Sequence, residues 1–207
     1  MNATGHTLQL VERGGERCGG PVLLAGLVLG LGVVELSSGT LGQTSRFSLE
    51  LLVLLVLQLV GPMLVTLIAM ALLLPLWQES SPESQGGWGE SLLASALMGA
   101  VLMLLFLMAA LVGGVLASPR ADLVAELREL LSSLLVSDLL RSCLRAACFL
   151  AVLCAWSQLR SRRRLHRGVP PALVSSDLMV EGLMLLLGLK LVWILAIDPL
   201  RLAASAQ

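Results

Sequence analysis

The sequence predicts an all-α protein, a multi-pass transmembrane helical bundle. Its 207 residues are 57% hydrophobic with a mean hydropathy of +0.89, and the apolar residues come in long blocks rather than in half-buried periodic patterns. Five blocks predict spans at about 21–36, 47–77, 92–117, 132–156 and 178–198, or four spans if the first block is cleaved or interfacial. Around this transmembrane domain, 21–200, we expect a disordered tail at 1–20 and a C-terminal tail at 201–207.

The first block, 21–36, is short for a bilayer, because it gives about 24 Å of helix against a hydrocarbon core of about 30 Å. Gly26 and Gly30 within it have the spacing that lets another helix approach closely. Cys18, just before the block, is by its position a candidate for S-palmitoylation, with an idle exposed thiol as the alternative.

The second block, 47–77, is too long for one perpendicular span and too short for two, so it should tilt, kink or protrude. Gly61 and Pro62 mark the expected kink, because proline has no N–H and crowds the preceding turn. Glu50 lies in the first turn, where a carboxylate suits the helix dipole; a proton-carrying role is the alternative. Gln58 lies deeper, and we expect it to hydrogen-bond to a neighbouring helix.

The third block, 92–117, contains no charged residue and is predicted to be a packing helix. Ser95 and Gly99 are four residues apart, and Gly113 and Gly114 lie near its end. Small residues at such spacing allow close contact between membrane helices.

An amphipathic helix at the membrane surface is expected at 119–131, before the fourth span. Asp122, Glu126 and Glu129 recur at i, i+4 and i+7 along one face, and leucines recur along a neighbouring face.

The fourth and fifth blocks contain charges that a bilayer makes costly. Asp138 and Arg141, three residues apart, should pair with each other. Arg145 and Lys190 are expected at similar depth near the midplane, where a charge costs roughly 2.5–3.5 kcal/mol. They would either snorkel to opposite interfaces or line a polar interior that attracts an anion, a lipid phosphate or a partner's acidic residue. The candidate intramembrane polar site therefore comprises Glu50, Gln58, Asp138, Arg141, Arg145, Glu181 and Lys190.

A concentrated basic run follows the fourth block, in what we expect to be a loop. It predicts a cytoplasmic loop, and with five spans a cytoplasmic N-terminus and an external C-terminus. Glu181, near the start of the fifth block, is placed to meet this run. The run also suits anionic lipid headgroups, whereas nucleic acid is not expected, because no folded domain or interleaved aromatic residues accompany it. Its arginines are Arg160, Arg162, Arg163, Arg164 and Arg167.

The motifs give no support for catalysis or for a cofactor. His6 and His166 lie outside the predicted spans, which excludes a buried bis-histidine haem, and the four cysteines lack metal-ligand spacing. The sequence contains no nucleophile elbow, zinc-protease motif or phosphate-binding loop.

We therefore expect a non-enzymatic integral membrane protein that works through helix–helix contacts, as an assembly, trafficking or accessory subunit. It would contact membrane lipids and either another membrane protein or a second copy of itself. The alternatives are a small oligomeric channel or transporter with a polar pathway, and a lipid-surface sensor. The sequence does not distinguish the plasma membrane from endomembranes.

Overall fold

The computed structural model describes residues 3–41, 60–79, 88–117, 136–165 and 171–197, and this part of the chain is all-helical. Four helices contain segments long and apolar enough to cross a membrane: Val11–Leu36, Gly89–Ala117, Ser137–Ser161 and Ser175–Leu195. The predicted helical membrane fold is thereby confirmed. The helices are α1 Ala3–Leu41, α2 Gly61–Glu79, α3 Trp88–Ala117, α4 Val136–Leu165 and α5 Pro171–Val192, which a π-helical turn, Trp193–Ile197, continues.

Among the described residues, α2 has the shortest apolar segment, and α1 is one of the four candidate spans. The apolar part of α2, Gly61–Pro75, provides about 22 Å of helix, less than a hydrocarbon core of about 30 Å. The fully buried Thr66 donates its hydroxyl to the Pro62 carbonyl oxygen at 2.7 Å. The rest of the predicted 47–77 span, with Glu50 and Gln58, lies outside the described residues, as do the predicted helix 119–131 and the tail 201–207.

The first helix contradicts the expected disordered tail at 1–20, because α1 is continuous from Ala3. The first candidate spanning segment is accordingly Val11–Leu36 rather than 21–36. The physical reason is tertiary, since every fourth residue is buried along one face while polar neighbours point outward. That buried face is formed by Gly14, Cys18, Val22, Gly26, Gly30 and Val34.

Helices α1 and α3 run parallel and touch backbone to backbone. A Cβ atom added to Gly26 would lie 2.5 Å from the carbonyl oxygen of Phe106, and one added to Gly30 would collide with the carbonyl oxygen of Ala110. Gly113 meets the backbone of α1 in the same way from the other side. Only glycine permits this approach, because any larger residue would have to push the helices apart.

Helix α3 is the centre of the bundle. Its spanning segment is 56% buried, against 22% for those of α1 and α5. It packs antiparallel to α4 on its second side, where a Cβ on Gly99 would lie 2.8 Å from the carbonyl oxygen of Ala146. Its remaining face is an exposed apolar stripe suited to lipid: Leu93, Leu97, Val101, Leu104, Met108, Val112 and Leu116.

The basic run after the fourth block is mostly helical, which corrects the expected loop. Helix α4 continues past the predicted end at 156 to Leu165, so Arg160 and Arg163 lie within its last turns. Arginine is a good helix former, and no glycine or proline interrupts the segment before Gly168. Helix α5 then begins at Pro171, a residue favoured in the first turn of a helix.

Candidate functional site

The interface between α4 and α5 contains two of the described candidate polar residues, Arg145 and Glu181. At one end, Arg160 donates from Nε to Glu181 Oε2 at 3.1 Å and from Nη2 to Oε1 at 3.2 Å. The expected meeting of Glu181 with the basic run is confirmed. The two-point contact fixes the relative position of the antiparallel helices as well as joining opposite charges.

Arg145 lies farther along this interface, packed on an aromatic ring. Its guanidinium carbon is 5.0 Å from the centroid of the Trp193 ring, within the range of a cation–π contact. Phe149, one turn along α4, meets the same indole in a T-shaped contact at 5.9 Å and 87°. Trp193 is therefore held between two side chains of α4, at the point where α5 changes to π-helical geometry.

Both intramembrane cations are enclosed by protein. Arg145 is 5% exposed and Lys190 is 7% exposed, so neither side chain faces lipid. Ser142, one turn before Arg145 on α4, is also buried. Burial of these side chains favours the expected polar interior over snorkelling to opposite interfaces, and its attraction of an anion, a lipid phosphate or a partner's acidic residue stays a prediction.

The contacts of Trp193 bear on the register of α5 against α4. Because Trp193 packs against both Arg145 and Phe149, residue 193 of α5 lies beside the turn 145–149 of α4. Lys190 precedes Trp193 by three residues, about 4.5 Å along α5, on the side of the Arg160–Glu181 pair. The similar depth of Arg145 and Lys190 in the bilayer stays a prediction.

Asp138 and Arg141 do not belong to this buried site. Their ion pair, 3.6 Å from Asp138 Oδ1 to Arg141 Nη1, confirms the expected i, i+3 pairing. The side chains are 40% and 50% exposed, respectively, so the pair lies on the surface of α4. A pair of this kind contributes little to stability.

A polar cluster between α3 and α4 was not anticipated. Gln158 donates from Nε2 to Ser91 Oγ at 2.6 Å, and the buried Cys154 Sγ lies 3.7 Å from that hydroxyl. Ser95, expected only as a packing residue, donates to the Ser91 carbonyl oxygen at 2.9 Å. The partners are remote in sequence, and the only signal was that serine and glutamine lie near the ends of apolar blocks.

Cys18 is not placed as a palmitoylation site requires. Its side chain is fully buried in the α1 face that packs on the bundle, so an acyltransferase has no access to the thiol in this fold. The prediction placed Cys18 in a polar tail, whereas it lies in the middle of α1.

The basic run is described only in part. Arg163 is exposed and Arg160 is half-buried. Arg162 and Arg164 lie in α4, but their side chains are outside the described part, as is Arg167 altogether.

The comparisons give no family on which to base a function. No family model, curated protein or solved structure matches the chain. Within the described residues, no group of three or more histidine, cysteine, aspartate or glutamate side chains is placed to hold a metal ion.

Proposed function

We propose that this chain is a non-enzymatic multi-pass integral membrane protein that works through helix–helix contacts, as an assembly, trafficking or accessory subunit of a membrane complex. The observation that carries the proposal is the outer face of α5. It is apolar, exposed and indented in its middle, which suits a second transmembrane helix.

Helix α5 packs against the rest of the bundle through one narrow face. Every fourth residue is buried there: Leu178, Gly182, Leu186 and Lys190. The rest of the spanning segment beyond Glu181 is uncharged and largely exposed, with Met184, Leu187 and Leu191 at 65%, 47% and 59%. Gly188 lies among them with no atom within 4 Å of the place where a Cβ would be, so the outer surface has a notch there.

Photo-crosslinking in native membranes tests this proposal. Lys190 is the only lysine and is buried, so amine-reactive reagents are unsuitable. A photoreactive amino acid in place of Leu187 should form a discrete adduct with another membrane protein or with a second copy. Gly188→Leu should abolish the adduct by filling the notch. Gly89→Leu, which adds the same side chain at another exposed and open position, should leave it intact.

Two results would reject this function. One is recovery of monomer alone from position 187 in membranes that contain the full complement of native proteins. The other is an adduct that survives Gly188→Leu and Lys190→Leu, with abundance and cellular location unchanged in both variants.

A small oligomeric channel or transporter is the second candidate, supported by the buried cations. Arg145 and Lys190 place positive charge inside the bundle, as a pathway for anions would require. Purified protein in liposomes should then pass chloride or a small organic anion, and Lys190→Met should reduce that flux. Absence of flux in the wild type would reject this candidate and leave the first untouched.

The orientation we propose places Arg160 and Arg163 in the cytoplasm, because short basic segments beside a span are retained there. Glycosylation acceptor sites inserted between α4 and α5 should stay unmodified. Acceptor sites inserted between α3 and α4 should be modified. The reverse pattern would invert the orientation.

A further inference from the structure

One face of α4 changes from apolar to cationic where its spanning segment ends. Val152 and Trp156 are 40% and 36% exposed, and Arg160 and Arg163 follow at i+4 and i+7 from Trp156. At 100° per residue these four side chains share one side of the helix. The change occurs at the end of the segment Ser137–Ser161. This face therefore matches a phospholipid along its length. Its apolar region can contact the acyl chains, and the cationic region that follows can contact the phosphate.

Arg160 is held in one orientation on this face. Its guanidinium carbon lies 5.9 Å from the Trp156 ring centroid, and Glu181 accepts from Nε and Nη2. A guanidinium has five N–H donors, so further donors remain for a phosphate oxygen. Because this long side chain is already ordered in the fold, binding of a phosphate loses little further side-chain entropy.

Arg163 extends the cationic face beyond the apolar segment. Because α4 continues to Leu165, the exposed Arg163 is fixed one helical turn past Arg160. The run supplies three more arginines at positions 162, 164 and 167. We propose that this end of α4 binds the headgroup phosphate of an anionic glycerophospholipid, with Arg160 and Arg163 as phosphate ligands and Trp156 packed beside the glycerol region.

A phospholipid fits this surface better than a soluble phosphate compound. The arginines are continuous with the exposed apolar stripe of a helix that is able to span a membrane, and only an amphipathic ligand covers both regions. Tryptophan and arginine side chains are characteristic of the membrane–water boundary. The inference is independent of the proposed function, because it concerns α4 and not the outer face of α5.

Lipid retention provides the test. The full-length protein is reconstituted in nanodiscs of phosphatidylcholine with a minority of phosphatidylglycerol, extracted in mild detergent and analysed by native mass spectrometry. Arg163→Gln should lower the retained ratio of phosphatidylglycerol to phosphatidylcholine about fivefold, the factor that corresponds to about 1 kcal/mol per arginine near a charged surface. The double variant Arg160→Gln/Glu181→Gln removes the ion pair without leaving a lone carboxylate, and it should lower the ratio as well.

Asp138→Asn/Arg141→Gln is the matched control, since it removes an ion pair from the other end of the same helix. It should retain the wild-type ratio. The proposal is overturned if the wild type retains the two lipids in their bulk proportion, if the control lowers the ratio as much as Arg163→Gln does, or if millimolar inorganic phosphate displaces the retained phosphatidylglycerol.

Discussion

Arg145 and Trp193 join α4 to α5 by a buried cation–π contact, with 5.0 Å between the guanidinium carbon and the ring centroid. Phe149 contacts the same ring with 5.9 Å between the centroids, so the indole packs against a cation and an aromatic residue of α4. This arrangement places an intramembrane arginine inside the protein and sets the helix register at the end of α5.

Trp193→Leu should lower the free energy of unfolding by about 2–4 kcal/mol, because it removes a desolvated cation–π contact and an aromatic pair together. Trp193→Phe should lose less, since a phenyl ring keeps both kinds of contact in weaker form. Unfolding in mixed detergent–SDS micelles measures both variants. Trp156→Leu, at a ring that is 36% exposed, is the control and should have the smallest effect. Equal losses for Trp193→Leu and Trp156→Leu would contradict the prediction.

Arg160 and Glu181 should behave as a coupled pair. Arg160→Gln and Glu181→Gln should each lower the unfolding midpoint in detergent, and the double variant should lose less than the sum of the two. The charge-swapped variant Arg160→Glu/Glu181→Arg should recover part of the loss. Thermal unfolding of the wild type and these four variants makes the comparison, and strictly additive effects would show that the pair does not form in solution.

The parallel contact between α1 and α3 predicts opposite outcomes at two neighbouring glycines. Gly30→Ala should destabilise the protein by about 1–3 kcal/mol, because the new methyl group would meet the Ala110 carbonyl oxygen and lie 2.9 Å from the Gly114 nitrogen. Gly32→Ala has open space and removes a poor helix former, so it should leave stability unchanged or raise it by up to about 1 kcal/mol. Unfolding in mixed micelles compares the two, and a Gly32→Ala loss as large as that of Gly30→Ala would refute the interface.

Gln158 and Ser91 should show a measurable coupling across α3 and α4. Hydrogen bonds between membrane helices average about 0.6 kcal/mol in double-mutant cycles, with a maximum near 1.7 kcal/mol. The short 2.6 Å distance favours a value in this range for Gln158→Leu combined with Ser91→Ala. Ser157 donates to the Cys154 carbonyl oxygen of its own helix at 2.9 Å, so Ser157→Ala should show no coupling to Ser91→Ala. Coupling of equal size in both cycles would mean that the assigned hydrogen bond is not its source.

Cys18 should be protected in the folded protein. A maleimide should label it only after denaturation, because the thiol is fully buried against the bundle. The matched control is Arg17→Cys combined with Cys18→Ser, which places a thiol at the adjacent exposed position and should react without denaturant. Labelling read by mass spectrometry distinguishes the two. Rapid native labelling of Cys18, or its recovery by acyl-biotin exchange from cells, would restore the palmitoylation hypothesis.

Several features were determined by the sequence alone, because they depend on composition or on nearest neighbours along one helix. Long apolar blocks predicted the membrane-type helical fold, because the length and hydropathy of a segment suffice to predict a span without knowing which helices pack on it. The Asp138–Arg141 pair followed from i, i+3 spacing. The meeting of Glu181 with the basic run followed from the short connection between consecutive helices, which makes them antiparallel neighbours.

Only the tertiary structure decided where α1 begins, which residues bond across α3 and α4, and where the buried cations lie. The composition of residues 3–20 predicts disorder. The face that contains Gly14 and Cys18 stabilises the helix only when other helices pack on it. Ser91 and Gln158 are joined by the register of two helices, which no local pattern contains. Arg145 packs on Trp193 of α5, a contact that the sequence did not predict. Helix propensity and hydropathy are properties of a segment, whereas register and burial are set by the surfaces that the segments present to one another.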